Sequence, residues 1–519
     1  MRGFNKNSRR KNMFLASGVG VATDAIKVLM GFGYRTLFLY CLSVDYLGIN
    51  GLFSNVLQVL SLADLGISTA IVYRFYAPIS NNDIEKVGQL MNFFGRIYRV
   101  IAIAILGFGM MLMPFLHCVI NEADKVPADI NIYVIFLLFL TQTVSSYIFV
   151  YKITILSADQ KNHVVNIINF ISVFFSYVLQ ISVLILTKDY TMTLAVGIMS
   201  NLAVNYASSV WAEKQYKEVF SVESMLPYIE RKQIFDDVKA LMYHRVGTVV
   251  LTGTDSLVLT RMVSLAATGL YSNYAMIIMN LQNLFGKLFG NYVSSIGNAK
   301  INLSHKEYYE LYLNINLLNS FVACFFTVGV YTCIDDFIKI WLGNEFVLGP
   351  VMSAWLALQF YMSISGITNG VYTNASGLFV KDRYRPLIES FLNLSVSIFL
   401  AARYGIVGVI AGTVISNMLT VGWRVPYILY KYDFYEESVY DYWKINLSFL
   451  MYAVIISAGI LFLKYHMMVD NMSITIWVLE GGVSMLLTIF ITGYGHWRNR
   501  YLQMELHKLK LILTKKINR

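Results

Sequence analysis

The stretch that decides the fold lies at residues 31–76 and reads GFGYRTLFLYCLSVDYLGINGLFSNVLQVLSLADLGISTAIVYRFY. It contains two apolar runs that meet at a short polar turn, residues 43–45. Each run is long enough to cross a bilayer, because about 20 apolar residues span the hydrocarbon core. The first run contains Arg35 and the second contains Asp64. Removing such a group from water is costly, so an ionisable residue within a span indicates a functional site.

The composition of the whole chain predicts a membrane protein. Of its 519 residues, 57% are hydrophobic and only 14% are charged, which is too little charge for a soluble protein of this size. The net charge of +10 could indicate nucleic-acid binding, but the basic residues lie at the two tails and in alternate loops. That distribution is typical of the cytoplasmic face of a membrane protein in contact with anionic lipids. We therefore expect membrane lipids, and no nucleic acid, among its partners.

The hydropathy pattern predicts fourteen transmembrane helices. Their approximate bounds are 13–42, 46–76, 85–117, 130–157, 160–187, 190–215, 233–262, 266–298, 308–342, 348–376, 384–402, 405–430, 441–465 and 471–497. The acidic loops 118–129 and 334–346 alternate with basic segments along the chain. Because basic loops remain in the cytoplasm, both termini are expected there and the acidic loops outside.

Two short motifs recur at a nearly constant spacing. GLFSN at 51–55 returns as GLYSN at 269–273, and MSNL at 199–202 returns as ISNM at 415–418. Six spans lie in each copy, so the two copies have the same orientation and form parallel lobes. The predicted division is an N-terminal lobe at 1–215, a cytoplasmic connector at 216–240, a C-terminal lobe at 241–431, two further helices at 432–497 and a basic amphipathic tail at 498–519.

Three segments resemble a known family of transporters. YLGINGLF at 46–53, LADLGISTAIVYRFY at 62–76 and TDSLVLTRMVSLAATGLYSNYAMI at 254–277 are similar to bacterial polysaccharide exporters. Those proteins are flippases for undecaprenyl-diphosphate-linked oligosaccharides in the multidrug/oligosaccharidyl-lipid/polysaccharide (MOP) exporter superfamily. The resemblance implies an all-α polytopic membrane protein whose two six-helix lobes form a V in the bacterial cytoplasmic membrane. It also implies an undecaprenyl-diphosphate-linked oligosaccharide as substrate, with H⁺ or Na⁺ and a polysaccharide polymerase or other assembly proteins as further partners.

Cationic side chains in or near the spans are the candidate contacts for an anionic lipid head group. An arginine can bind a diphosphate through two parallel hydrogen bonds, which a lysine does less well. The candidates of this kind are Arg35, Arg74, Arg96, Arg99 and Lys287. The alternative for Arg35 is that it extends to the membrane surface while Asp24 and Lys27 pair with each other. The alternative for the three arginines at 74–99 is ordinary positive charge on the cytoplasmic side.

Three asparagines around the repeated motif, Asn50, Asn55 and Asn273, are candidate contacts for sugar hydroxyl groups. They suit hydrogen bonds between helices equally well. We interpret Arg424 and Glu389 as structural residues.

Three aspartates are candidates for ion coupling or for charge partners of the cationic residues: Asp24, Asp64 and Asp255. For Asp255 the neighbouring Gly253 and Ser256 offer an alternative, because small residues permit close packing of helices.

No sequence motif of an enzyme, a metal site or a cofactor site occurs in the chain. We therefore expect a transporter without catalytic residues or cofactors. The closest alternative is an ion-coupled multidrug or cation antiporter of the same superfamily, although such proteins usually have twelve spans and favour acidic cavities. A further alternative is a membrane enzyme of polysaccharide assembly, such as a polymerase or an acyltransferase.

Overall fold

The computed structural model describes residues 6–60, 74–75, 78–79, 81–116, 126–159, 161–235, 254–290, 293–378, 381–466 and 473–495. Side chains are described from Thr23 onward except at 59–60, 150, 162, 293–295, 298 and 465. These residues form 14 long helices and, within the described part of the chain, no strands. Eight helices in the same part are long and apolar enough to cross a membrane. The predicted class, an all-α polytopic membrane protein, is confirmed.

Residues 1–269 form the first of two compact units. Its helices are α1 (Lys6–Cys41), α2 (Val44–Leu60), α3 (Ile84–Leu112), α4 (Ile132–Val150), α5 (Thr154–Ala158), α6 (Asn162–Thr187), α7 (Tyr190–Gln215) and α8 (Lys217–Phe220). Residues 254–262 are also helical. The helices begin where the sequence supplies caps: the carboxylate of Asp83 accepts from Lys86 N, and that of Asp189 accepts from Met192 N.

The two ends of this unit have different chemistry. At one end the Tyr46 hydroxyl donates to Asp129 Oδ1 at 2.6 Å, and its ring lies 5.3 Å from that of Tyr190. At the other end lie three ion pairs. Lys86–Glu230 and Lys152–Glu213, both at 2.5 Å, join segments that are distant in the sequence, and Lys161–Asp159 at 2.7 Å lies within one turn. The described part of the predicted connector therefore packs at the charged end, where it meets the start of α3.

Residues 270–519 form the second unit. Its helices are α9 (Leu265–Gly290), which begins in the first unit, α10 (Val293–Asn302), α11 (His305–Leu342), α12 (Pro350–Ser365), α13 (Ile367–Ala375), α14 (Arg385–Asn417), α15 (Trp423–Tyr432), α16 (Val439–His466) and α17 (Ile474–Gly495). Helix α11 has 38 residues and packs against α12, α16 and α17. It begins with a capping box between Ser304 and Glu307.

Two predicted spans of this unit, 384–402 and 405–430, meet at a glycine. Within α14, Gly405 has φ +57° and ψ −131°, which are not helical values. Only glycine adopts such a conformation readily. The chain therefore bends at Gly405, the first residue of the second predicted span, although the helical assignment continues across it.

Several predicted features lie outside the described residues. They are Asp64, most of the acidic loop 118–129 and the amphipathic tail 498–519. The lobe boundaries remain predictions. The tail likewise remains a prediction.

Candidate functional site

Arg35 lies on α1, six residues before its end, and is half-buried. At about 1.5 Å per residue this places its Cα about 9 Å from the end of the helix. The phenol groups of Tyr34 and Tyr177 lie within electrostatic range of its guanidinium, and their ring centroids are 5.2 Å apart. Tyr177 belongs to α6, which packs along α1. A Cβ atom on Gly31 would lie 3.4 Å from the Tyr177 hydroxyl, so this glycine leaves room for the phenol. Arg35 and these two tyrosines form the tyrosine–arginine cluster.

Asp24 and Lys27 form the ion pair that their alternative interpretation expects. Lys27 Nζ lies 3.7 Å from Asp24 Oδ1, one turn apart on α1. Both side chains are partly exposed, so this is a modest interaction. Arg35 stands eight residues beyond Lys27, or about 12 Å along the helix.

The two arginines of α3, Arg96 and Arg99, are exposed. Arg99 Nε donates to Gly95 O at 3.2 Å within its own helix. Arg96 Nη1 lies 3.2 Å from Met225 Sδ in the connector. Arg74 is half-buried in the short described stretch 74–75. The structure thus places Arg96 beside the connector at the charged end of the first unit.

Asn55 makes a hydrogen bond between helices, as its alternative interpretation expects. Its Nδ2 donates to Ser256 Oγ at 2.7 Å and to Gly51 O at 2.9 Å. Ser256 follows Asp255, whose side chain is buried. The structure therefore brings Asn55 and the Asp255 segment together within the first unit, and Asn50 lies half-buried on α2 nearby in sequence.

A glycine crossing lies beside this contact. A Cβ atom on Gly48 would lie 2.2 Å from Leu265 O, and one on Gly269 would lie 2.3 Å from Val44 O. Only residues without a side chain allow two backbones to approach so closely. The crossing was missed because the sequence reasoning looked for close packing at Gly253, which lies outside the described residues.

Two further candidates belong to the second unit. Asn273 is fully buried on α9, whereas Lys287 is exposed on the same helix. Glu389 and Arg424, which we interpret as structural residues, both join one ion cluster: Arg385 Nη1 lies 2.5 Å from Glu389 Oε2, and Arg424 Nε lies 3.5 Å from Asp382 Oδ1.

Sequence reasoning missed one ion cluster in the second unit. Lys464 on α16 pairs with Asp336 on α11 and lies 3.2 Å from Glu480 Oε1 on α17. A signal was present, because Glu480 stands alone in the apolar stretch ITIWVLEGGV. This cluster ties the two C-terminal helices to α11.

Among the residues that the structure describes, no group of three or more His, Cys, Asp or Glu side chains could hold a metal ion. An open apolar groove of about 460 Å³ lies between α6 and α7. Its lining contains none of the candidate residues: Val164, Ile168, Ile171, Ala203, Val204, Ala207, Ser208 and Trp211.

No protein-family model matches the chain, and no curated protein matches it. Solved structures do. The lipid II flippase MurJ in an inward closed conformation is 14% identical, with a TM-score of 0.64 over 92% of this chain and 99% of that one. An inward-facing multidrug resistance MATE family transporter of the MOP superfamily is 12% identical, with a TM-score of 0.60 over 79% and 98%. A MATE transporter in complex with MaD3S is 10% identical, with a TM-score of 0.51 over 81% and 96%.

The chain therefore has the fold of the MOP superfamily, and the predicted resemblance is confirmed at the level of the fold. These neighbours are named as a flippase and as transporters, and at 10–14% identity the likeness shows the shared fold.

Proposed function

We propose that this protein is an alternating-access flippase that moves undecaprenyl-diphosphate-linked oligosaccharide units across the bacterial cytoplasmic membrane for surface polysaccharide assembly. The observation that carries the proposal is the tyrosine–arginine cluster on α1 and α6, in a chain with the fold of a lipid flippase. A guanidinium inside a membrane helix is costly unless it serves a partner or a polar path.

The chemistry of the substrate explains the need for such a group. The diphosphate is anionic and the sugars are strongly polar, so neither crosses hydrocarbon without compensation. An arginine offers a planar fork that binds phosphate oxygens in pairs. Phenol hydroxyl groups such as those of Tyr34 and Tyr177 can donate to the same oxygens or to sugar hydroxyls. They are neutral, so they leave the positive charge of the guanidinium in place to attract the anion.

The remaining parts of the proposal follow the charge pattern. Both termini and the connector at 216–240 face the cytoplasm, and the lobes are 1–215 and 241–431. Basic side chains at the inner mouth, Arg74, Arg96 and Arg99, draw the diphosphate from the inner leaflet, and Lys287 serves the second lobe. Asp64 and Asp255 act as charge partners or bind H⁺ or Na⁺, and a polysaccharide polymerase accepts the exported unit.

A cation antiporter is the second candidate function, and one observation favours it. Asp255 is a buried carboxylate in a chain whose structural neighbours include MATE transporters. Such a group could bind a cationic drug or a coupling ion. In that case Asp255→Asn would abolish resistance to cationic drugs in a sensitive strain, and Arg35→Ala would leave it intact.

The test compares Arg35→Ala and Arg35→Lys in cells that lack the native gene. We expect Arg35→Ala to accumulate lipid-linked oligosaccharide on the cytoplasmic side and to lose surface polysaccharide. Arg35→Lys should retain a fraction of export, because it keeps the charge but loses the paired geometry. Mass spectrometry of extracted lipids and quantitation of surface glycan measure both effects.

Arg403→Ala is the matched control. Arg403 is an exposed arginine of α14 whose guanidinium lies 4.9 Å from the Phe399 ring, outside the tyrosine–arginine cluster. Export by the Arg403→Ala variant should equal export by the unmodified protein. Normal export by Arg35→Ala at equal protein abundance would remove Arg35 from the substrate path and leave it as a structural residue.

A further inference from the structure

One face of α11 carries amides and a hydroxyl deep inside the second unit. Asn316, Asn319 and Ser320 are all fully buried. In a membrane protein every buried polar group needs a partner, because lipid supplies none. The hydrogen bonds of these three side chains can be traced one by one.

The orientation of Asn319 is fixed by two carbonyl groups. Its Nδ2 donates to Ile364 O at 2.7 Å and to Ser365 O at 3.2 Å. These carbonyls lie where α12 ends, one residue before α13 begins, with Gly366 as the interruption. Turning the amide over would break both bonds. Its Oδ1 is therefore an acceptor, and it has no hydrogen-bond partner among the described residues.

The orientation of Asn316 is fixed through α16. Asn446 donates from Nδ2 to Tyr442 O at 3.0 Å and accepts from Ser320 Oγ at 3.1 Å. The same Nδ2 group also donates to Asn316 Oδ1 at 3.4 Å. Asn316 Nδ2 is therefore a donor, and it too is buried without a partner in the part of the chain that the structure describes.

One donor and one acceptor are thus left on neighbouring side chains. Positions three apart on a helix have Cβ atoms about 5–6 Å apart, a separation that one bridging molecule can cover. We propose that a buried water molecule binds here, accepts a hydrogen bond from Asn316 Nδ2 and donates one to Asn319 Oδ1. A cation would be attracted to Asn319 Oδ1 but repelled by the amide hydrogens of Asn316. An anion would be attracted to those hydrogens but repelled by Asn319 Oδ1.

A third group near the site can complete the coordination of the water. The Thr368 hydroxyl on α13 is buried and has no partner among the described residues. Thr368 comes two residues after the interruption at Gly366 and four residues after Ile364, whose carbonyl accepts from Asn319. Buried waters make about three hydrogen bonds, and these three side chains offer that number.

The water would help to stabilise the break between α12 and α13 at Gly366. Backbone carbonyls freed at a helix break remain satisfied by Asn319, and the water satisfies Asn319 in turn. Such a hydrated break can change its angle without exposing a polar group to lipid, because a water exchanges partners more easily than a side chain does. The inference depends on packing within the second unit and stands apart from the identity of the transported substrate.

The direct test is a cryo-EM map of the full-length protein in lipid nanodiscs, at a resolution that shows ordered water. We expect a peak at hydrogen-bond distance, about 2.7–3.2 Å, from both Asn316 Nδ2 and Asn319 Oδ1. A direct bond between the two amides with no peak would overturn the proposal. A peak surrounded by oxygens only, with Asn316 turned to present its oxygen, would identify a cation and overturn it as well.

Hydroxyl-radical footprinting gives an independent measurement, because radiolysis of a bound water labels the side chains around it. Tyr361 is buried, and its hydroxyl donates to Asn446 O at 2.5 Å, next to the site. We expect labelling of Tyr361 in the unmodified protein and at least a threefold decrease in Asn316→Leu. Asn393→Leu is the control, because Asn393 is equally buried but donates directly to Thr413 Oγ1. Equal labelling in the two variants would refute the site.

Discussion

A single methyl group at position 48 tests the glycine crossing of the first unit. The ideal Cβ of an alanine there would lie 2.2 Å from Leu265 O and 2.9 Å from both Leu265 C and Leu265 Cγ. Ordinary van der Waals contact begins at 3.4 Å, so α2 would have to move about 1.2 Å away from the segment at 265–269. The obstacle is backbone, which cannot rotate aside as a side chain would.

The expected loss follows from two opposing effects. Overpacking a tight contact costs about 1–3 kcal/mol, and a clash with backbone belongs at the upper end of that range. Alanine also favours the helix over glycine by about 1 kcal/mol. The net loss for Gly48→Ala is then about 2 kcal/mol, which lowers the melting temperature of this unit by roughly 3–4 °C. Gly269→Ala should lose a similar amount, because its Cβ would lie 2.3 Å from Val44 O.

Size-exclusion chromatography of the purified protein after heating measures the loss. Gly107→Ala is the control, since Gly107 is exposed on α3 and nothing lies within 4 Å of the added Cβ. It should melt at the temperature of the unmodified protein or slightly above it. If Gly48→Ala melts within about 1 °C of Gly107→Ala, the backbones do not approach as closely as described.

Four further predictions concern other parts of the chain. Lys464→Met leaves Asp336 and Glu480 facing each other and should cost about 2 kcal/mol in thermal stability. Adding Glu480→Gln to Lys464→Met should restore part of the lost thermal stability. If no stability returns, the three groups are not coupled. Burial, together with the hydrogen bond to Asp159, raises the pKa of the Tyr216 phenol. Its stabilising contribution should therefore be complete below the unfolded pKa of about 10 and decline as pH rises further towards the folded value. Tyr216→Phe should flatten that alkaline decline in melting temperature, and an unchanged profile would contradict the assignment. Deleting 498–519 should lower protein abundance more than export per molecule, so loss of export at normal abundance would refute a purely interfacial tail. A cysteine at position 122 should react with membrane-impermeant reagents added from outside. Labelling only from the cytoplasmic side would contradict the predicted topology.

The helices could be predicted from the sequence because their signals are local. The span predicted at 190–215 is α7, since a long run of mostly apolar and small residues follows the capping carboxylate of Asp189. The boundary predicted between residues 402 and 405 lies next to the non-helical Gly405. These features depend on neighbours in the chain, and they need no knowledge of which helices touch.

The contacts of the candidate site could not be predicted in the same way. Asn55 meets Ser256, which lies 201 positions away, and nothing in either segment identifies the other as its partner. Lys464 and Asp336 are separated by 128 positions, and nothing in either segment identifies the other as its partner. A charge in a span predicts that a partner exists, but its identity depends on the packing of the unit.

The pairing of Asp24 with Lys27 changes what a mutation on α1 can prove. Removing Asp24 would leave Lys27 without its compensating charge, so a loss of export could come from a disturbed helix rather than from a lost substrate contact. Arg35 allows a cleaner comparison, because Arg35→Lys keeps one positive charge at the same depth and changes only the geometry of donation. A defect shared by alanine and lysine therefore indicates a need for the guanidinium fork itself. A defect confined to alanine indicates that positive charge alone suffices, and Lys287 would then be an equally good contact for a diphosphate.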